Sequence, residues 1–231
     1  MSKLNLCIII PIYNEEEILH SIIKKALNFS KNFNSKIVFV NDGSTDNSKK
    51  ILSNVKSKKI ITISKKNEGY GKTILAGYRK ALTLNAEFIL QIDSDDQIPF
   101  EEFKKLLKYK NQFDFIIGKR LNRKDPTSRI LISLGLKIVL FFTFGKYVDD
   151  AHCPLRVMRR SFLKEIINTI SFSSIPNVFI SLLAKKRGSY KSVNIKHRQR
   201  YSGSQLNYFK VLKLCIFSIS DIFKFKFIKH D

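Results

Sequence analysis

The chain has 231 residues, 44% of them hydrophobic and 26% charged, which suits one globular domain with at most a small appendage. Cys7, Cys153 and Cys215 are too few and too far apart for a disulfide framework and lack zinc-ligand spacing, so the chain fits a reducing cytoplasm. The formal net charge of +23 points to an anionic partner: phosphates, nucleic acid or an acidic membrane face.

Met1-Ser2-Lys3-Leu4 runs straight into an apolar stretch with no small-residue cleavage site, so no secretory leader is expected. Residues 6–12 read as a strand and 15–29 as a helix, with acids in its first turn and lysines later. Residues 36–40 read as a strand and 45–55 as a helix, with Ser44 or Thr45 as its N-cap. Strands over 60–63, 87–92 and 113–117 alternate with helices over 72–84 and 100–109. That alternation predicts βαβ units and a mostly parallel sheet, an α/β fold. Further on, 130–144 is almost wholly apolar, with Lys137 inside it, and is shorter than the ~20 residues a membrane-spanning helix needs. It reads equally as a core helix or an interfacial one. Residues 208–228 are long enough to span, but Lys210, Lys213, Asp221, Lys224 and Lys226 interrupt them. Phe209, Leu212, Ile216, Ile219 and Phe223 form one helical stripe, with Lys210, Lys213, Ser220, Asp221 and Lys224 mostly opposite. This is an amphipathic helix that lies on a membrane or packs on the domain.

The apolar run 88–92 ends in Asp93-Ser94-Asp95-Asp96-Gln97. Carboxylates at the C-terminal end of a buried parallel strand face the crevice where α/β proteins bind ligands. Asp93, Asp95 and Gln97 offer hard oxygen ligands for Mg²⁺ or Mn²⁺, with substrate phosphates filling the other positions. By themselves these residues read equally as an Asx-turn with helix capping before Pro99. Three further polar loops belong at the same sheet edge: Pro11-Ile12-Tyr13-Asn14-Glu15, Asn41-Asp42-Gly43-Ser44-Thr45-Asp46 and Asn67-Glu68-Gly69-Tyr70-Gly71-Lys72. Together the four loops describe a nucleotide site.

In this order the loops resemble the family 2 nucleotide-diphospho-sugar transferases of the GT-A fold, and most closely the dolichol- or polyprenyl-phosphate mannosyl/glucosyl synthase branch. The resemblance runs from about Leu4 to about Gln205. It implies that Pro11, Tyr13, Glu15 and Asp42 bind the nucleoside, although Asn41 stands where the family often has Asp. It implies that Gly71 and Lys72 belong to the donor-binding loop and that Asp93, Asp95 and Gln97 bind the metal. Gly118-Lys119-Arg120 resembles Gly-Ser-Arg, and Arg120 with Arg129 is implied on the acceptor-phosphate side. Asp150-Ala151-His152-Cys153-Pro154-Leu155-Arg156 resembles Asp-x-x-Cys-Gly-Phe-Arg, with Pro154 in place of glycine. Arg200 matches the arginine that closes over the diphosphate, and Gln205 stands where lysine is frequent.

The expected architecture is a catalytic domain over 1–206 and an amphipathic, membrane-associated helix over 207–231. The expected activity is inverting, metal-dependent transfer of a hexose from a UDP- or GDP-sugar to a polyprenyl or dolichyl phosphate. An ionised phosphate needs no strong general base, and paired arginines suit it. Transfer to a saccharide hydroxyl in surface-polymer synthesis is the alternative, with Asp150 as base or orienting group. Transmembrane helices follow the catalytic domain in many members of that branch; none is evident here. This implies peripheral binding at the cytoplasmic face, a membrane-protein partner or a soluble acceptor. From 166 to 220 there are nine Lys or Arg and no acid, and Tyr201 and Tyr208 lie near the basic run. A nucleic-acid-binding reading of that segment leaves Asp93, Asp95 and Asp96 unexplained and has no recognised binding module, so no nucleic-acid partner is expected.

Overall fold

The computed structural model of the chain describes residues 5–121, 127–198 and 208–227, with side chains described except at 127–129 and 208–216. One seven-stranded sheet organises it, in the order β3-β2-β1-β4-β6-β5-β7. The strands are β1 (Asn5–Ile12), β2 (Asn34–Asp42), β3 (Ile60–Lys65), β4 (Phe88–Gln91), β5 (Phe115–Arg120), β6 (Arg156–Arg159) and β7 (Tyr190–Ile195). Strands β1 to β4 are mutually parallel where they pair, as are β5 and β7, and β6 runs antiparallel between β4 and β5. Ile8, Ile9 and Ile10 of β1 are fully buried, as are Phe88, Ile89 and Leu90 of β4, because helices cover both faces of a central strand. This is the α/β fold with a mostly parallel sheet flanked by helices that is expected from the sequence.

The helices are α1 (Glu16–Ser30), α2 (Ser48–Ser53), α3 (Tyr70–Thr83), α4 (Phe103–Leu107, entered by a 3₁₀ turn over Phe100–Glu102), α5 (Thr127–Phe144), α6 (Arg160–Ile166), α7 (Pro176–Lys186) and α8 (Tyr208–Phe227). Helix α2 starts later than expected. Neither Ser44 nor Thr45 caps it: Ser44 Oγ donates to Asn41 Oδ1 at 2.6 Å, and Thr45 bonds Asn14. Asp46 Oδ1 instead accepts from Ser48 N at 2.9 Å.

The exposed side of α5 is strongly apolar, with Leu131 62% and Phe142 81% exposed. Helix α8 packs on the domain through Asp221, Ile222 and Phe225, which are buried; Phe225 stacks on Phe179 of α7 with ring centroids 4.2 Å apart. Ile219 and Phe223, part of the apolar stripe read from the sequence, are exposed instead. Asp221, placed on the polar face by that reading, faces inward. Among the described residues no helix is long and apolar enough to cross a membrane.

Candidate active site

Parallel register brings the C-terminal ends of β1, β2 and β4 to one edge. Pro11 pairs with Val40, Asp42 with Lys65, and Ile9 with Gln91 two positions before Asp93. A cavity of about 490 Å³ opens there, lined by Pro11, Tyr13, Glu15, Asp42, Gly69, Tyr70, Asp93 and Asp95 among others. Pro11, Tyr13, Glu15 and Asp42, singled out in the sequence, thus share a wall with the carboxylate pair.

The Asp42–Lys65 register sets up an ion pair of 2.6 Å, and Asp42 also accepts from Glu68 N at 3.1 Å and Gly69 N at 3.0 Å. Burial pushes its carboxyl up, but the Lys65 ammonium and the loop amides outweigh that and hold it below its ordinary value. Gly69, at φ +89°, gives the chain the left-handed turn that aims its N–H at Asp42 and starts α3.

Gly71 and Lys72 are not at this wall. A Cβ on Gly71 would lie 2.2 Å from the Ser174 carbonyl oxygen, and Lys72 Nζ donates to Ser171 O at 3.1 Å. Both residues seat α3 on the 171–174 loop. The loop residues that do reach the cavity are Asn67, Gly69, Tyr70 and Thr73.

Tyr70 is not among the residues that the sequence singles out for the site. Its hydroxyl donates to Asp93 Oδ1 at 2.9 Å and accepts from Gln91 Nε2 at 2.9 Å and Asn177 Nδ2 at 3.3 Å. Beneath it, the Tyr78 hydroxyl donates to Gln91 and, at 3.1 Å, to Asn177 Oδ1. The antiparallel pairing of Gln91 with Arg156 brings a fully buried guanidinium to the same level. Arg156 donates to the main-chain carbonyls of Ala151, Cys153 and Asn177, so its charge remains available to act on Asp93. Burial and then the Asp95 carboxylate push Asp93 up to about 7, against the Tyr70 hydrogen bond and the Arg120 and Arg156 charges.

The three acids after β4 divide. Asp96, at φ +56°, turns to Lys25 of α1, while Asp93 and Asp95 face the crevice. A second cavity of about 100 Å³ shares both carboxylates and adds Gln97, Arg120, His152, Pro154 and His197. The 196–198 segment is held over Gln97 by a 2.8 Å bond from Arg198 N to Gln97 O. The two histidines were lone residues in the sequence; only the crossing of this segment brings His197 here. Among the described residues no three His, Cys, Asp or Glu side chains group together as a metal cage. A carboxylate pair with one amide at a phosphate-sized opening nevertheless fits a divalent ion that completes its shell from substrate oxygens.

Arg120 and Asp150 form a two-bonded pair: Nε to Oδ2 at 2.8 Å and Nη2 to Oδ1 at 2.8 Å, with side chains 9% and 7% exposed. Both Asp150 oxygens therefore serve the guanidinium. Lys119 points away to Asp149 at 3.5 Å. Arg200 and Gln205 lie outside the described residues, as does the side chain of Arg129 on α5.

A third cavity, about 250 Å³ and mostly apolar, lies between α5 and α8. Ile132, Gly135, Leu136, Val139, Ile219 and Ile222 form most of its wall. His152 lines both this cavity and the small polar one.

The chain is similar to undecaprenyl-phosphate 4-deoxy-4-formamido-L-arabinose transferases. It is 29% identical to that of Pectobacterium carotovorum over 218 residues, covering 91% of this chain and 65% of the relative. It is 26% identical to that of Proteus mirabilis over 215 residues, covering 90% and 64%. The chain thus spans slightly less than two thirds of these relatives' length. In fold it is similar to Mycobacterium tuberculosis glucosyl-3-phosphoglycerate synthase, solved with Mn²⁺, uridine diphosphate and phosphoglyceric acid. The TM-score is 0.74 at 12% identity, over 99% of this chain and 80% of that one. The sequence profile of glycosyl transferase family 2 matches residues 7–167, from β1 through the carboxylate pair to the strand bearing Arg156, and to that family the chain belongs.

Proposed function

We propose that the chain moves a hexose from a UDP- or GDP-sugar to the phosphate of a polyprenyl lipid, with inversion at the sugar, using Mg²⁺ or Mn²⁺. The observation that carries the reading is the position of Asp93 and Asp95, which form the wall between the nucleotide-sized cavity and the small cavity that contains Arg120. The names of the relatives, which are undecaprenyl-phosphate sugar transferases, support the acceptor class, and the Mn²⁺ and uridine diphosphate in the fold neighbour support the donor and metal.

Pro11, Tyr13, Glu15 and Asp42 bind base and ribose, with Asp42 preset by Lys65 and the loop amides. Asp93, Asp95 and Gln97 hold the metal ion, which when bound neutralises charge on the departing diphosphate. Arg120 binds the acceptor phosphate and is aimed by Asp150, and Arg129 and Arg200 add positive charge on the acceptor and diphosphate sides. A phosphate oxygen then attacks the anomeric carbon from the face opposite the leaving group. A C–O bond to the acceptor forms, the C–O bond to the diphosphate breaks, and the nucleoside diphosphate leaves with the electron pair. No proton need be removed from an acceptor already ionised at neutral pH. A hydroxyl acceptor would need a base, and Asp150 is engaged by Arg120 through both oxygens.

The apolar cavity, which shares His152 as a lining residue with the small polar one, suits an acceptor with an apolar chain. The exposed apolar face of α5 suits peripheral binding at the cytoplasmic face of a membrane. The test is a donor screen: UDP- and GDP-hexoses, Mg²⁺ or Mn²⁺, with and without a short polyprenyl phosphate. Turnover that requires both metal and lipid phosphate is expected. Metal-dependent donor hydrolysis that lipid phosphate does not accelerate would overturn the acceptor assignment.

A further inference from the structure

Asp221 is a buried carboxylate on the face by which α8 docks, beside Ile222 and Phe225. An aliphatic side chain there would anchor the helix without desolvating a charge. What the carboxylate adds is direction. Its Oδ2 accepts from Ser174 N at 2.7 Å, Ser174 Oγ at 2.7 Å and Ser173 Oγ at 3.4 Å, so α8 grips the main chain of the 171–174 loop.

The other side of that loop is seated on the first turn of α3. The Ser174 carbonyl fills the place where a Cβ of residue 71 would stand, and Ser171 O accepts from Lys72 Nζ at 3.1 Å. Tyr70 opens the same turn and donates to Asp93. The loop also leads into α7, whose Asn177 Nδ2 donates to the Tyr70 hydroxyl at 3.3 Å. Tyr70 is therefore held from two sides by elements that Asp221 ties down.

We propose that Asp221 is a positioning residue for the metal-binding carboxylate, acting from α8 through Ser174, the first turn of α3 and the Tyr70 hydroxyl on Asp93. The Asp221 bonds to Ser174 thereby set metal affinity. This rests on Asp93 as a metal ligand, as proposed above.

The experiment is direct Mn²⁺ titration by calorimetry in the presence of UDP, on the full chain, with thermal unfolding and transfer kinetics alongside. Asp221→Ala is expected to weaken Mn²⁺ about tenfold and lower kcat to match, leaving the KM for lipid phosphate within about twofold. Asp221→Asn keeps an oxygen acceptor for the Ser174 amide and is expected to restore most of the loss. Phe225→Leu disturbs the same helix face at Phe179 and Phe144 but keeps the Asp221 carboxylate; it is expected to lower Tm with a smaller loss of Mn²⁺ affinity than Asp221→Ala. A folded Asp221→Ala chain with wild-type Mn²⁺ affinity overturns the proposal. If that variant does not fold, Ser174→Ala decides: an about threefold loss of Mn²⁺ affinity supports it, and no loss overturns it. A wild-type chain that binds no Mn²⁺ overturns the metal assignment itself, a different failure from wild-type binding that Asp221 does not influence.

Discussion

The Tyr70 hydroxyl joins two halves of the site: it donates to Asp93 Oδ1 at 2.9 Å at the donor cavity while accepting from Gln91 and Asn177 in the core. Tyr70→Phe removes the acceptor for two amides and the donor to one carboxylate. Unmet buried groups of this kind cost about 2 kcal/mol, or ~6 °C in Tm for a chain of this size. The same change lets Asp93 hold its proton more tightly and weakens Mn²⁺ at neutral pH. Differential scanning calorimetry and Mn²⁺ titration check both.

With Asp93 as a metal ligand, as proposed, Mn²⁺ affinity is expected to depend on pH. Its carboxyl is raised from 3.8 to about 7, first by burial and then by Asp95. With the folded value above the unfolded one, the metal-free folded state holds the extra proton. Its stability therefore falls as pH rises from about 4 to about 7. A metal ion must displace that proton, so Mn²⁺ affinity is expected to fall about tenfold from pH 8 to pH 6. Titrations at the two pH values check it; equal affinities would show that Asp93 does not bind the ion.

Arg120 and Asp150 act as a unit. Arg120→Lys keeps the charge but loses the two-bonded grip, and is expected to raise the KM for lipid phosphate about tenfold with the donor Kd unchanged. Asp150→Asn is expected to do the same through a loosened guanidinium. Arg120→Ala deprives a buried carboxylate of its partner and costs about 3 kcal/mol, read by denaturant unfolding.

Gly135 lines the cavity between α5 and α8. A Cβ there meets nothing within 4 Å, and glycine inside a helix costs roughly 0.5–1 kcal/mol relative to alanine. Gly135→Leu is expected to fold with an unchanged or higher Tm and to raise the KM for polyprenyl phosphate several-fold, with donor binding unaffected. Steady-state kinetics over lipid concentration check it.

Leu131 and Phe142 stand out from α5 without protein cover, 62% and 81% exposed. Leu131→Asp with Phe142→Asp is expected to abolish flotation with anionic liposomes while metal-dependent donor binding persists. Truncating α8 is a poorer test, because it would uncover the surface that Ile222 and Phe225 bury.

Strands β1, β2 and β4 were legible because Leu6–Ile12, Ile37–Val40 and Phe88–Leu90 are apolar and branched, as doubly covered strands must be. Strand β6 was not: Arg156-Val157-Met158-Arg159 begins and ends in arginine, and its burial depends on carbonyls from Ala151, Cys153 and Asn177 that no local pattern reveals. The carboxylate pair announced itself, since burial makes such residues conspicuous after an apolar run. Tyr70 did not, because its partners Gln91 and Asn177 are 21 and 107 positions away. Gly71 and Lys72 followed the resemblance into the donor loop, whereas close approach to Ser174 turns that helix turn toward the 171–174 loop. On α8, Ile219 and Phe223 of the stripe are exposed, and Asp221, read on the polar face, is buried, because a carboxylate satisfied by two serines breaks the polar-outside rule.

The most direct measurement is nuclear magnetic resonance of the product formed from an NDP-hexose, Mn²⁺ and polyprenyl phosphate. The account predicts an anomeric carbon coupled to phosphorus of a lipid monophosphate, with configuration opposite to that of the donor. A sugar attached through a hydroxyl, or one of retained configuration, would contradict it.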